Sequence, residues 1–350
     1  MSRAPYRKNP ALLLRMRRST IRSNQVVPLL LAVGLVFPSL TGCTGAKPES
    51  PQFDPAHYKD LVRQHTTTTP PEEPASPPPE MNADEHERLA DGYAQQGNYP
   101  LALTHYSKTL EKETDRIPAR LKLGSMYLKQ GLWEAARIQF QETIARAPMS
   151  GPAYEGLGHA LLMMKQDQQA EPALRKAISL APDRWQAYNL LGLLLDRQKR
   201  HREAIEAYQA ALTRQPAEAA VHNNLGLALF FDGQPEAAAQ EFQRALLNGA
   251  TQPKVFNNLA LAYARLEHYP EALEAFKKAT NEPQAYYNLG TILMDNGRLR
   301  HAVTCFQKAM ETNPRFYAKA AERLASAQRE LTGSPEQAVG ASVIGEEPCR

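Results

Sequence analysis

One layout recurs in this chain every 34 residues, and that spacing restricts the fold more than any other feature. Trp185–Glu218 carries Leu191, Gly192 and Leu195 on one helical face. A polar turn follows at Arg197–Arg202, then Ala204, Tyr208, Ala211 and Leu212, with Pro216 as the stop. Ala219–Gln252 repeats this with Leu225, Gly226, Leu229, Ala238, Phe242, Ala245 and Leu246. The first residue of each unit is slot one. Slot eight is then Gly or Ala and slot twenty is Ala, the small residues that two antiparallel helices need where they cross. Slot twenty-four is aromatic or Leu, sized to fill the gap toward the next hairpin. A lone hairpin cannot bury its apolar face, whereas a row of them buries a continuous one.

Seven such units occupy 83–116, 117–150, 151–184, 185–218, 219–252, 253–282 and 283–316, with Leu at slot seven and Ala at slot twenty in all seven. The sixth lacks four residues, so its second helix or the turn after it is expected to be shorter by about one helical turn. The pattern resembles the tetratricopeptide repeat (TPR). The resemblance implies an all-α protein, a right-handed α-solenoid of seven TPR helical hairpins, whose usual task is to bind other proteins. Residues 317–331 read as a capping helix and 332–350 as a loose tail. Slot four, Trp in many members of that family, is here His86, Arg120, Tyr154, Tyr188, His222, Phe256 and Tyr286. The first two predict a polar, capping-type edge at the start of the array. Pro172 falls a few residues into its helix and predicts a late start or a distortion. Pro100, Pro235 and Pro270 lie near first turns, where proline is tolerated.

The segment before the repeats reads as an address and a tether. The +4 net charge sits at the N-terminus: seven Arg and Lys and no acid within 1–42 leave about −3 elsewhere. That distribution gives no case for nucleic-acid binding. The apolar run 26–40, VVPLLLAVGLVFPSL, is too short and too interrupted by Pro28 and Pro38 to span a membrane comfortably. It leads into Leu40-Thr41-Gly42-Cys43, which resembles the bacterial lipobox. The resemblance implies a signal peptide over 1–42, starting at Met1 or Met16, and a lipid carried on the Cys43 sulfur. The alternative is an uncleaved signal anchor with a chance cysteine. Several acyl chains would anchor the protein almost irreversibly. Thr44 follows where Asp would signal inner-membrane retention in enteric bacteria. The expected location is thus the cell envelope, at the outer membrane facing the periplasm. Residues 43–82 form the lipidated start and a Pro-rich tether, centred on TTTTPPEEPASPPPE, that cannot build a core. Extended, it reaches about 120 Å. A spacer is the first reading, a Pro-rich ligand for a partner the second.

Function is sought on the repeats. The sequence holds no nucleophile turn with a Ser/His/Asp set, no Gly-rich phosphate loop and no zinc spacing, and its histidines scatter over unrelated slots. Address, tether, repeats, cap and tail account for all the residues given, so a non-enzyme is expected, with no cofactor beyond the lipid on Cys43, no metal and no small-molecule substrate. In the family the first helix of each hairpin lines the binding groove. Slot six is Asn in Asn224, Asn258 and Asn288, and slot five in Asn189, Asn223 and Asn257. Each side chain offers a donor and an acceptor, and the column resembles the asparagine ladder of peptide-binding arrays. Phe230, Phe231 and Tyr287 would add apolar contacts; Lys254 and Arg265 would favour an acidic ligand or a carboxylate terminus. The alternative is that NNLG is consensus filler. The Lys/Asn carboxylate clamp of chaperone-binding arrays is not matched, because Glu87, Asp91, Leu121 and Ser125 stand in the corresponding slots. Cys305, in a helix, and Cys349, in the tail, either pair in an oxidising compartment or stay a buried thiol and a stray tail residue. The closest family resemblance is to repeat-bearing lipoproteins that assist tight-adherence (Flp-type) pilus machinery, with the pilot lipoproteins of type IV pili similar in plan. Both imply a secretin or another pilus component as partner. An adaptor for peptidoglycan hydrolases or synthases is the alternative.

Overall fold

The computed structural model describes residues 80–312, 317–333 and 349. Cys43, the signal segment, the tether up to residue 79 and most of the tail lie outside the described residues. The described residues hold helices and turns, with no strand. The hairpins are α1 (Ala83–Gln95) with α2 (Tyr99–Lys112), α3 (Ile117–Lys129) with α4 (Trp133–Arg146), and α5 (Gly151–Met163) with α6 (Asp167–Leu180). They continue as α7 (Trp185–Arg197) with α8 (His201–Arg214), α9 (Ala219–Phe231) with α10 (Pro235–Leu247), and α11 (Pro253–Arg265) with α12 (Tyr269–Ala279). The last hairpin is α13 (Glu282–Asp295) with α14 (Leu299–Thr312), and α15 (Tyr317–Gly333) packs on α14 as the expected cap. Helices touch their sequence neighbours and, along the first-helix row, the next helix but one. This is the nearest-neighbour architecture of a helical-hairpin solenoid.

The small slots do what the sequence requires of them. Ala102, Ala136, Ala170, Ala204, Ala238, Ala272 and Ala302, all in slot twenty, are fully buried. Slot eight faces the slot-twenty-four side chain of its own hairpin. A Cβ on Gly192 would come 2.5 Å from the Tyr208 ring, one on Gly226 2.6 Å from Phe242, and one on Gly290 2.8 Å from Phe306. The aromatic knob thus enters the space vacated at slot eight, and burying such a ring is worth about 1.5–3 kcal/mol. Phe140 also reaches the next hairpin, under Gly156.

Each hairpin turns at slot fifteen in the left-handed region. Gly97, Gly131, Gly233 and Gly297 have φ of 76°, 73°, 85° and 73°, and Lys165, Lys199 and Glu267 have 59°, 62° and 63°. The following N–H closes back on the first helix, as in Leu132 N to Tyr127 O at 2.9 Å and Arg200 N to Leu195 O at 2.9 Å. This Schellman-type closure satisfies carbonyls that the helix end leaves open.

Two expectations change and a third is met in finer detail. Slot four is no polar edge: His86 is 6% exposed and Arg120 4%. Both partner slot twenty-three across the hairpin, His86 Nδ1 lying 3.1 Å from His105 Nδ1 and Arg120 donating to Gln139 Oε1 at 3.1 Å, with Glu142 adding an ion pair. His222 repeats this with Glu241 at 2.7 Å. In the other four repeats slot four is aromatic and slot twenty-three is Ala173, Ala207, Ala275 or Cys305. A polar group is thus met by a polar group and a ring by a small residue. Second, α6 starts in register at Asp167 and runs through Pro172, so the late start does not occur. Gln168, four residues before the proline, is exposed, and water can take the carbonyl that loses its donor. Third, the four-residue deficit is shared: α12 has 11 residues where α8 has 14, residues 280–281 alone form the turn, and α13 begins one residue early at Glu282 under an Asn281 cap. Cys305 and Cys349 are joined in a disulfide, which ties the chain end to α14.

Candidate functional site

The first helices α7, α9 and α11 present the asparagine column. Its members pair with each other. Asn224 Nδ2 donates to Asn189 Oδ1 at 3.1 Å, and Asn258 Nδ2 donates to Asn223 Oδ1 at 3.0 Å. Each rung joins slot five of one repeat to slot six of the next. The rung uses neither the slot-five amide N–H groups nor the slot-six carbonyl oxygens. Asn189, Asn224 and Asn258 are half-buried and Asn223 is buried, so the rungs are fixed while their outer sides stay reachable. Asn257 is half-buried beside the second rung. Asn288 departs from the column: its Oδ1 accepts from Gln284 Nε2 at 2.7 Å, within α13.

The other candidates scatter more. Phe231 is 64% exposed at the end of α9 and stacks on His201 at 5.6 Å, while Phe230 is half-buried against the core and meets Phe231 edge-on at 5.7 Å. Tyr287 is buried, its ring 5.8 Å from Phe306 and 5.5 Å below the Lys319 ammonium of the capping helix. Lys254 and Arg265 are exposed on α11, with no acidic partner among the described residues. Slot nine is an addition that the asparagine pattern overshadows. Leu193, Leu227 and Leu261 lie one turn past slot five, on the same helical face, and Leu193 is 36% exposed. The signal was in the sequence, as the same residue at 34-residue spacing.

The N-terminal half of the same face is ionic. Lys122 bridges Glu87 and Asp91 at 2.8 Å each, and Asp91 also accepts from the Tyr106 hydroxyl at 2.6 Å. Burial works against the Asp91 carboxylate, but these two donors hold its pKa below the ordinary range. At Asp196 the balance is reversed: burial raises its carboxyl despite hydrogen bonds from His201 and Tyr208. Two clefts open in this half, one of about 490 Å³ between α1, α2 and α3, and one of about 260 Å³ between α3, α4 and α5. Among the described residues no group of His, Cys, Asp and Glu is placed to hold a metal, and no helix is long and apolar enough to cross a membrane.

A family model described as the Cilia and flagella-associated protein 70 C-terminal domain, a TPR segment, matches residues 58–286, and the tetratricopeptide repeat model matches 283–316. This chain belongs to the tetratricopeptide-repeat family. No curated protein matches it. Among solved structures, the TPR chain is similar to MamA at 31% identity, covering 46% of this chain and 94% of MamA with a TM-score of 0.41. It is similar to Pseudomonas aeruginosa PilF at 22% identity, covering 63% and 95% with a TM-score of 0.46. YrrB, described as a TPR protein with an unusual peptide-binding site, matches at 21% identity over 48% of this chain and 87% of its own, with a TM-score of 0.39. These likenesses concern the fold.

Proposed function

We propose that this TPR array is a non-catalytic scaffold that holds an extended protein segment along the first helices of repeats four to six. The two inter-repeat asparagine rungs carry this reading. They set backbone-like donors and acceptors at the pitch of the repeats, which suits main-chain hydrogen bonding that is indifferent to side chains. The Leu193, Leu227 and Leu261 row beside them gives the segment an apolar bed, and Lys254 and Arg265 favour an acidic one.

The scaffold is proposed to work in the bacterial envelope, lipid-anchored through Cys43 at the outer membrane and facing the periplasm, where it assists assembly of a pilus or secretion machine with a secretin or another pilus component as partner. The lipobox-like sequence supports the anchor, and the Cys305–Cys349 bond supports an oxidising compartment. In-envelope crosslinking tests the first part: Asn224→Ala with Asn258→Ala should cut partner capture while helicity is kept. Capture that stays at the wild-type level rejects the ladder. Deletion of the protein with secretin multimers and piliation unchanged rejects the pilus assignment. Palmitate labelling that persists in Cys43→Ala rejects the anchor.

A further inference from the structure

The asparagine ladder uses the C-terminal half of the first-helix face. The N-terminal half is shaped by a missing side chain. Slot six holds Arg88, Lys122, Leu190, Asn224, Asn258 and Asn288 in the other repeats, but Gly156 in the third. A Cβ there would overlap the Phe140 ring, which fills the vacated space and, only 2% exposed, closes the bottom of the smaller cleft. Leu121, Leu128 and Pro152 wall it. The larger cleft shares Leu121, Ser125 and Lys129 with it, so the two adjoin across that wall as a double depression.

The charges around this depression are almost all paired. Lys122 is taken by Glu87 and Asp91. Arg184 is held by Glu155 through two bonds of 2.8 and 2.9 Å. Burial lowers the pKa of His159 and so disfavours its charged form. Lys129 is the exception: it is exposed, its ammonium stands 5.6 Å from the Tyr99 ring centroid, and no carboxylate among the described residues meets it. The wall common to both clefts therefore carries an uncompensated positive charge beside an apolar notch with an aromatic floor.

We propose that this double cleft is a sequence-reading subsite for a partner protein's extended segment, which places a Phe or Leu side chain between Leu121, Leu128 and Pro152 above the buried Phe140 ring and a neighbouring Asp or Glu against Lys129. The proposal rests on the segment-holding reading above and adds the chemistry of the segment. A ladder that binds main chain discriminates little. A notch that buries a ring, next to an unmatched cation, discriminates by side chain.

The test is fluorescence anisotropy of the full chain in detergent with short labelled Gly/Ser peptides that carry Phe-Glu, Phe-Lys or Ala-Glu at the centre. Phe-Glu should bind about tenfold or more tighter than Ala-Glu, from burial of the ring, and about threefold tighter than Phe-Lys, from an exposed ion pair. Lys129→Glu should reverse the preference for Glu over Lys. Ser125→Leu, which installs the slot-nine residue of repeats four to six, should fill the shared wall and erase the preference for Phe with an unchanged circular dichroism spectrum. Asn224→Ala with Asn258→Ala should weaken all three peptides alike. Equal binding of the three peptides, or preferences that survive both cleft variants, overturns this proposal and leaves the ladder standing. A wild-type chain that binds no peptide overturns both. Tighter binding of the chain's own TTTTPPEEPASPPPE sequence than of Phe-Glu would make the occupant internal and overturn the partner assignment.

Discussion

Replacing Lys165 and Lys199 by glycine should stabilise the array. Both sit at slot fifteen with φ of 59° and 62°, where the Cβ of an L-residue crowds the following carbonyl. That crowding costs about 1–2 kcal/mol per residue, and glycine returns about 0.5–1 kcal/mol of it as extra freedom in the unfolded chain. The net gain is about 0.5–1 kcal/mol at each site. Both side chains are exposed, so no packing is lost. The sites are 34 residues apart in separate hairpins and their effects add, giving about 1–2 kcal/mol for the double variant. At about 2–4 °C per kcal/mol for a folded region of this size, the melting temperature rises by about 2–8 °C. Urea unfolding followed by circular dichroism is the assay, with a higher midpoint at unchanged slope expected. Gly131→Lys, the reverse exchange at the same slot, should lower the midpoint by a similar amount. A double variant that unfolds at or below the wild-type midpoint, or a neutral Gly131→Lys, refutes the reasoning.

Three further outcomes are expected. Cys349→Ser, or reduction, removes a cross-link between residues 44 apart and should weaken α14 and α15 by up to about 4 kcal/mol; amide exchange in these two helices that ignores reductant would show the bond to be irrelevant. Burial and the nearby Lys108 and Lys112 lower the pKa of His86, and burial, His86 and Lys108 lower that of His105. The first hairpin should therefore hold its full stability above about pH 6.5 and lose it as the pH falls through the depressed folded values. Limited proteolysis of α1 and α2 at falling pH reads this, and His86→Tyr with His105→Ala should abolish the dependence. Gly192→Ala places a methyl against a Tyr208 ring whose hydroxyl is tied to Asp196 at 3.0 Å, so the ring cannot swing aside. A loss of about 1–3 kcal/mol in thermal unfolding is expected, and a neutral variant would mean that the helices separate freely.

Slots seven, eight, twenty and twenty-four were legible in the sequence because steric demand at a helix crossing leaves few residue types. Slot fifteen was not, since Lys165, Lys199 and Glu267 hide a backbone requirement that Gly131 and Gly233 satisfy openly. The polar residues at slot four misled for another reason. His86, Arg120 and His222 look like surface residues until slot twenty-three is seen opposite them, and that pairing spans a hairpin. Asn189, Asn223, Asn224 and Asn258 stood out as a column, but that they bond to each other depends on the offset between neighbouring first helices. The Phe140-floored notch arises from the absence of a side chain at Gly156, which a search for chemistry-bearing residues passes over.

The shortened junction after α12 acts as a stacking fault does in a crystal. Up to Asn258 the amides follow one period; beyond the fault Asn288 turns to Gln284 in its own helix and makes no rung with Asn257. A main chain aligned on the first block finds no matching rung in the second. A segment held by the proposed rungs would lose that support past Asn258, and the place in its sequence where main-chain contacts stop would mark where it lies on this protein.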